Sequence, residues 1–284
     1  MKKMALCLAL TVMVFAYEMN AEIYRGTWTV TEESEHSKSV TAGGDTVIGL
    51  NQFNLEEGQS LIINHEDAGN VRFIVKKEET IIDGSIETNC NFEFATTGFL
   101  SLDVEANLVG RQIKLETGRG LSFAGDIKAD EIEMRSKGLV LFTGSAEGNT
   151  KLISDRSVTV DGEMQAVDGT ISIQGSELQI MGISKLDVSG KVGGHININV
   201  DQLLHEDDAQ ILATGIGRAG RIEITTKDTP ELFGHLSVES TEGEGGVIQI
   251  TCVSGEAECA NSCIQGLSGK GQFIIKKRDE HGTN

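Results

Sequence analysis

The chain has 284 residues, with 43 acidic against 24 basic side chains, a formal net charge of −19, 34 glycines, a single proline and 5% aromatic residues. An acidic balance of this size lacks the basic footprint that nucleic acid or anionic lipid requires, and its plain consequence is solubility of an extended surface. Ile, Val and Leu recur at period two along the chain, which excludes disorder, while abundant Gly and scarce Pro suit short strands joined by tight corners.

Residues 1–21 have the form of a secretory signal peptide. Lys2 and Lys3 open it, residues 4–16 are apolar apart from Thr11, and Ala21 supplies a small residue for cleavage. The apolar run is too short to span a bilayer, so removal is expected rather than anchoring. Cys7 stands too early in that run to be a lipoprotein acceptor. Removal takes away Lys2, Lys3 and Glu18, leaving 22 basic and 42 acidic residues. No later run is apolar enough for a transmembrane helix, and no terminal segment reads as an outer-membrane barrel. Export is expected, with a secreted, cell-surface or periplasmic location in a Gram-negative-type envelope.

Residues 22–50 differ in character from the rest of the chain. EIYRGTWTV at 22–30 holds the single Trp, and 31–38 is strongly polar. A stack of coils needs its end closed, so this segment is expected to be an N-terminal cap with Trp28 closing the core. The alternative role for Trp28 is stacking on a sugar. From residue 51 to 275 short apolar-alternating strands recur. QIKL at 112–115, EIEM at 131–134, KLI at 151–153 and TISI at 170–173 start 19 to 20 residues apart. Each is followed by a second strand, LSF at 121–123, LVLF at 139–142, VTV at 158–160 and LQI at 178–180, with TGRG, GSAEG and DG turns between. Only residues 201–209 admit a brief helical turn, or equally a loop.

The last hundred residues repeat one phrase four times: VSGKVGGHININ at 188–199, ATGIGRAGRIEIT at 213–225, STEGEGGVIQIT at 240–251 and GLSGKGQFII at 266–275. Their first inward apolar residues are Ile196, Ile222, Ile248 and Phe273, spaced 26, 26 and 25 apart. A fixed period of this size signals a solenoid in which each coil buries its apolar face on its neighbours. The expected fold is therefore all-β, a single right-handed parallel β-helix of the pectin-lyase-like kind, with a polar tail at 276–284. About nine or ten coils stacked ~4.8 Å apart give a rod on the order of 45 Å long.

Four cysteines remain after processing. Cys252, Cys259 and Cys263 cluster, and in an exported chain one disulfide among them is the default. A zinc site is the sharper reading, but no His lies inside the cluster and CxxC spacing is missing. Cys90 reads as a buried small apolar residue. An enzyme acting on polysaccharide needs convergent carboxylates. The candidates Asp155 with Arg156, Asp161, Asp168 and Asp187 sit mostly in turns that Asp favours for backbone reasons. His195, His205 and His235 have no paired nucleophile and are expected at the surface. HEDD at 205–208 and ESTEGE at 239–244 are acidic loops without a calcium-repeat or EF-hand pattern. GIGRAG at 215–220 has the spacing of a nucleotide loop, but no strand–helix unit comes after it and it recurs as a coil corner. No cofactor and no metal is expected.

GDTVIGLNQFNL at 44–55, VRFIV at 71–75 and IIDGSI at 81–86 resemble the amino-terminal secretion domain of filamentous haemagglutinin-type exoproteins, and the Gly-rich phrases at 188–275 are similar to their degenerate coil repeats. Where that family shows Asn-Pro-Asn-Gly, this chain has FEFATTGF at 92–99. The resemblance implies a parallel β-helix, an outer-membrane two-partner-secretion transporter as partner, and Asn51, Gln52, Phe53, Asn54 and Leu55 as its recognition motif. It also implies a non-catalytic surface, adhesive or envelope-structural role, with a host-surface or glycan ligand. A polysaccharide lyase or hydrolase and an exported cation-binding module are the alternatives.

Overall fold

The computed structural model describes residues 21–34, 36–254 and 272–277; the expected signal segment up to residue 20, Cys259 and Cys263 lie outside them. Among the described residues there is no helix, and strand pairing is parallel from the second strand onward. The sequence dictates this locally. Two- to six-residue alternations are too short to bury a face alone, but in parallel register each apolar residue sits on the equivalent residue of the next coil.

The pairings define three faces. The first runs from residues 37–42 through Ser60–His65, Ser85–Thr88 and Asn107–Val109 to His235–Ser237. The second runs from residues 46–50 through Asn70–Val75, Asn91–Thr96 and Gln112–Thr117 to Val247–Cys252 and Gln272–Lys277. The third contains Glu79–Ile82, Phe99–Leu102, Gly120–Phe123, Leu139–Phe142 and Ser157–Val160, ending at Glu231–Leu232. The outcome is a parallel β-helix of about ten turns. Ile196 pairs with Ile222, Ile222 with Ile248 and Ile248 with Phe273, the register read from the sequence.

Coil length varies along the stack. Val71, Phe92 and Ile113 stack 21 residues apart, Ile132 and Thr150 only 18, and Ile171 onward 25 or 26. The added residues lie at the corner between the first and second faces, between Asp187 and His195, Leu212 and Arg221, and Ser237 and Val247. Glycine is required where corners stack. A Cβ at Gly138 would collide with the carbonyl oxygen of Arg119 one coil away.

The interior is one continuous apolar core. Near the N-terminal end it is aromatic: Phe73 lies edge-on to Phe53 at 5.6 Å and to Phe92 at 5.2 Å, and Phe94 lies 5.6 Å from Phe53. Midway, Phe123 stacks on Phe142 at 5.2 Å with rings nearly parallel. Phe92 and Phe94 thus occupy core positions in the stretch where the exoprotein family carries Asn-Pro-Asn-Gly.

Three local readings are corrected. The strand expected to start at Lys151 begins at Ser145, and on the second face its first inward residue is Thr150, paired with Ile132 below and Ile171 above. The only helical candidate, residues 201–209, is strand to His205 followed by a turn. His205 is fully buried rather than exposed, because it occupies an inward position of the third face between Ile180 and Leu232. A column of hydroxyls is also inside. Thr96, Thr117, Ser136 and Ser154 stack in successive coils at the end of the second face. Three of them accept from N–H groups of the adjoining corner, Gly98 to Thr96 at 3.2 Å, Gly138 to Ser136 at 3.1 Å and Arg156 to Ser154 at 3.0 Å.

Candidate functional site

The N-terminal end carries the residues that the sequence marks for recognition. Strand β1 (Ala21–Glu33) pairs antiparallel with β2 (Ser37–Leu50), while β2 also pairs parallel with Ser60–His65 and Asn70–Val75. β2 is therefore both half of a hairpin and the first rung of the stack. The hairpin bends through the same corner as the coils: Gly44 has a φ of 66° on β2, and Gly26, with a φ of 79°, crosses it on β1. A Cβ at Gly26 would meet the backbone of Thr46 at 2.7 Å. Trp28 and Val30 face the core from β1, and the indole sits edge-on to Phe73 at 5.7 Å. Trp28 is half-buried and packs against the first end of the core.

Next to the hairpin turn, Lys38 points inward and is nearly fully buried, with its Nζ 3.9 Å from Glu33 and no hydrogen-bond partner among the described residues. Burial pushes its ammonium below the usual lysine range, and Glu33 only partly opposes this. Tyr24, half exposed on β1, lies over Gly49 with the Lys76 ammonium 5.9 Å from its ring centre.

Residues 51–55 leave β2 and turn onto the third face, where Leu55 bridges to Ile82. The motif divides by burial. Phe53 and Leu55 are core residues, Asn51 is exposed and Gln52 half-buried. Asn54 keeps its Oδ1 buried without a hydrogen-bond partner among the described residues. Only the polar members can meet another molecule; the apolar ones anchor the loop.

The carboxylates weighed for catalysis do not converge. Asp155 follows the second face, Asp161 the third and Asp168 the first, so they lie at three different corners. Asp168 has a φ of 54°, and its Oδ1 accepts from the N–H groups of Val192 at 2.9 Å and Gly193 at 3.0 Å, which hold its carboxyl below the usual range. Asp187 is mostly buried, which pushes its carboxyl up. The Lys185 ammonium at 2.8 Å and the N–H of Ser189 at 2.8 Å outweigh this and hold it low. Both are committed to fixing corners.

The lengthened corners create an open groove of about 630 Å³ beside the second face, lined in part by Asp168, His195, Arg218, Arg221 and Glu244. His195 Nε2 is 3.0 Å from Glu223 Oε2, and Glu223 also pairs with Arg221. GIGRAG at 215–220 is one of these corners, bridging Gly190, Ser240 and Glu244 in the adjacent coils. No group of three or more His, Cys, Asp or Glu side chains suited to a metal occurs among the described residues.

Cys90 is buried beside Thr88, 2.9 Å from its hydroxyl, and burial pushes its thiol up. Cys252 is buried and donates to the carbonyl of Asp228 at 3.2 Å; its expected partners are outside the described residues.

No family model and no curated protein matches this chain in sequence. Among solved structures it is similar to the HMW1 secretion domain from Haemophilus influenzae, with a TM-score of 0.55 and 12% identity over 90% of this chain and 99% of that one. At that identity the likeness is one of fold. The fold shared with that secretion domain is the parallel β-helix that residues 44–55 and 71–86 lead one to expect.

Proposed function

We propose that this is an exported, non-catalytic β-helix that serves as a secretion domain for an outer-membrane two-partner transporter, with a surface, adhesive or envelope-structural role. The observation that carries the reading is the extent of the fold likeness, which spans nearly the whole of a secretion domain and nearly the whole of this chain. The motif geometry supports it, since Phe53 and Leu55 anchor a loop that leaves Asn51 exposed at the first coil. Acidic surfaces and carboxylates committed to corners leave stacking as the main work of the coils.

The test is expression in a Gram-negative host with and without a co-expressed two-partner transporter. Surface-exposed or released chain is expected only with the transporter, and periplasmic chain without it. Asn51→Ala combined with Gln52→Ala lowers secretion while leaving thermal unfolding unchanged. Secretion indifferent to the transporter would overturn the partner; turnover of an acidic polysaccharide by the purified chain would overturn the non-catalytic role.

A further inference from the structure

We propose that His205 is an acid-operated latch that holds the C-terminal coils of the rod closed at neutral pH and lets them open on acidification. The third face stacks Ile82, Leu102, Phe123, Phe142, Val160 and Ile180 in one inward column, and the next residue in that column is His205. Its side chain is fully buried, and neither ring nitrogen has a partner in hydrogen-bonding geometry among the described residues. A neutral imidazole can fill an apolar slot of this kind, whereas an imidazolium brings a charge and a second N–H donor into a slot where neither ring nitrogen is hydrogen-bonded.

The surroundings fit tightly around the uncharged ring. A Cβ at Gly234 would meet the carbonyl oxygens of Glu206 at 2.2 Å and Ala209 at 2.5 Å and the ring Nε2 at 2.6 Å, so the corner closes on the ring without spare room. The column is also at its thinnest here, because the strand above His205 is the two-residue Glu231–Leu232. The charged and titratable groups on the elements packed against the ring are Glu177, Glu206, Asp207, Asp208, Glu231 and His235, none of them buried. Burial lowers the imidazole from its ordinary value to about 4; the nearby Ala209 backbone favours the proton, and the charge of His235 disfavours it. The open state binds a proton near pH 6.5 and the closed state only near pH 4, so stability is full above that window and falls as pH drops through it. The ratio of opened to closed coils then rises by about two orders of magnitude between pH 7 and pH 4.

Hydrogen exchange of the full chain, compared with His205→Leu at each pH from 7 to 4, tests the latch. Comparison at equal pH cancels the intrinsic change in exchange rate. The expected result is progressive loss of protection in residues 195–237 of the wild type relative to the variant, with residues 60–123 unchanged. Equal protection of residues 195–237 in both proteins at pH 4 would overturn it. A titration of the His205 ring followed by NMR in the wild type gives a second readout that needs no folded variant. A midpoint below about 5 agrees with the latch, and a midpoint near the ordinary histidine value of about 6.5 contradicts it.

Discussion

An isoleucine in this rod contributes through its two stacked neighbours as well as through its own burial. Ile222 is fully buried with Ile196 below and Ile248 above, so removing its side chain leaves a cavity that neither ladder neighbour can fill. Ile222→Ala is expected to cost about 2–5 kcal/mol, whereas the outward Glu223→Gln, which loses only surface ion pairs, is expected to cost under about 1 kcal/mol. Urea unfolding of the two variants checks this, and equal costs would mean that the inward and outward sets are exchanged. Lys38 gives the opposite sign. Its ammonium is buried without a hydrogen bond among the described residues, and Lys38→Met keeps the volume while removing the charge, so a gain of about 1 kcal/mol is expected in the same measurement.

At the scale of the element, corners decide what a coil tolerates. Ser136→Ala leaves the N–H of Gly138 without its acceptor inside the hydroxyl column and is expected to cost about 1–3 kcal/mol. Trp28→Ala opens the N-terminal cross-section over Phe73, and thermal unfolding of that variant is expected to begin in the first coils, at a cost of about 2 kcal/mol or more. The legibility of the elements in the sequence rests on the same distinction. Straight segments are legible, since Ile, Val and Leu alternate on them, and the column Ile196, Ile222, Ile248 and Phe273 can be placed in register from spacing alone. Thr150 escapes a reading that marks the inward side by apolar residues only, because a β-branched polar residue fits a parallel ladder equally well. His205 reads as a surface residue because it adjoins three acidic residues that do face water, which disguises the inward parity it shares with Leu203. Of the recognition motif, the spacing is readable; the division between buried Phe53 and Leu55 and exposed Asn51 requires the turn onto the third face.

At the scale of the whole molecule, the parallel coils stack into one continuous core, and Asp168 and Asp187 commit their carboxylates to fixing corners. The chain's likeness to a secretion domain concerns the fold, and the export route is the part of the account that turns fold into biology. Its net charge of −19 offers no basic footprint for a nucleic acid or for anionic lipid. The most direct test is fractionation of the native cell, with intact mass measured on the chain recovered from each fraction. The account predicts a chain beginning at residue 22, found outside the cytoplasm and accessible to added protease or released to the medium. A chain that retains Met1 and stays in the cytoplasm would contradict it.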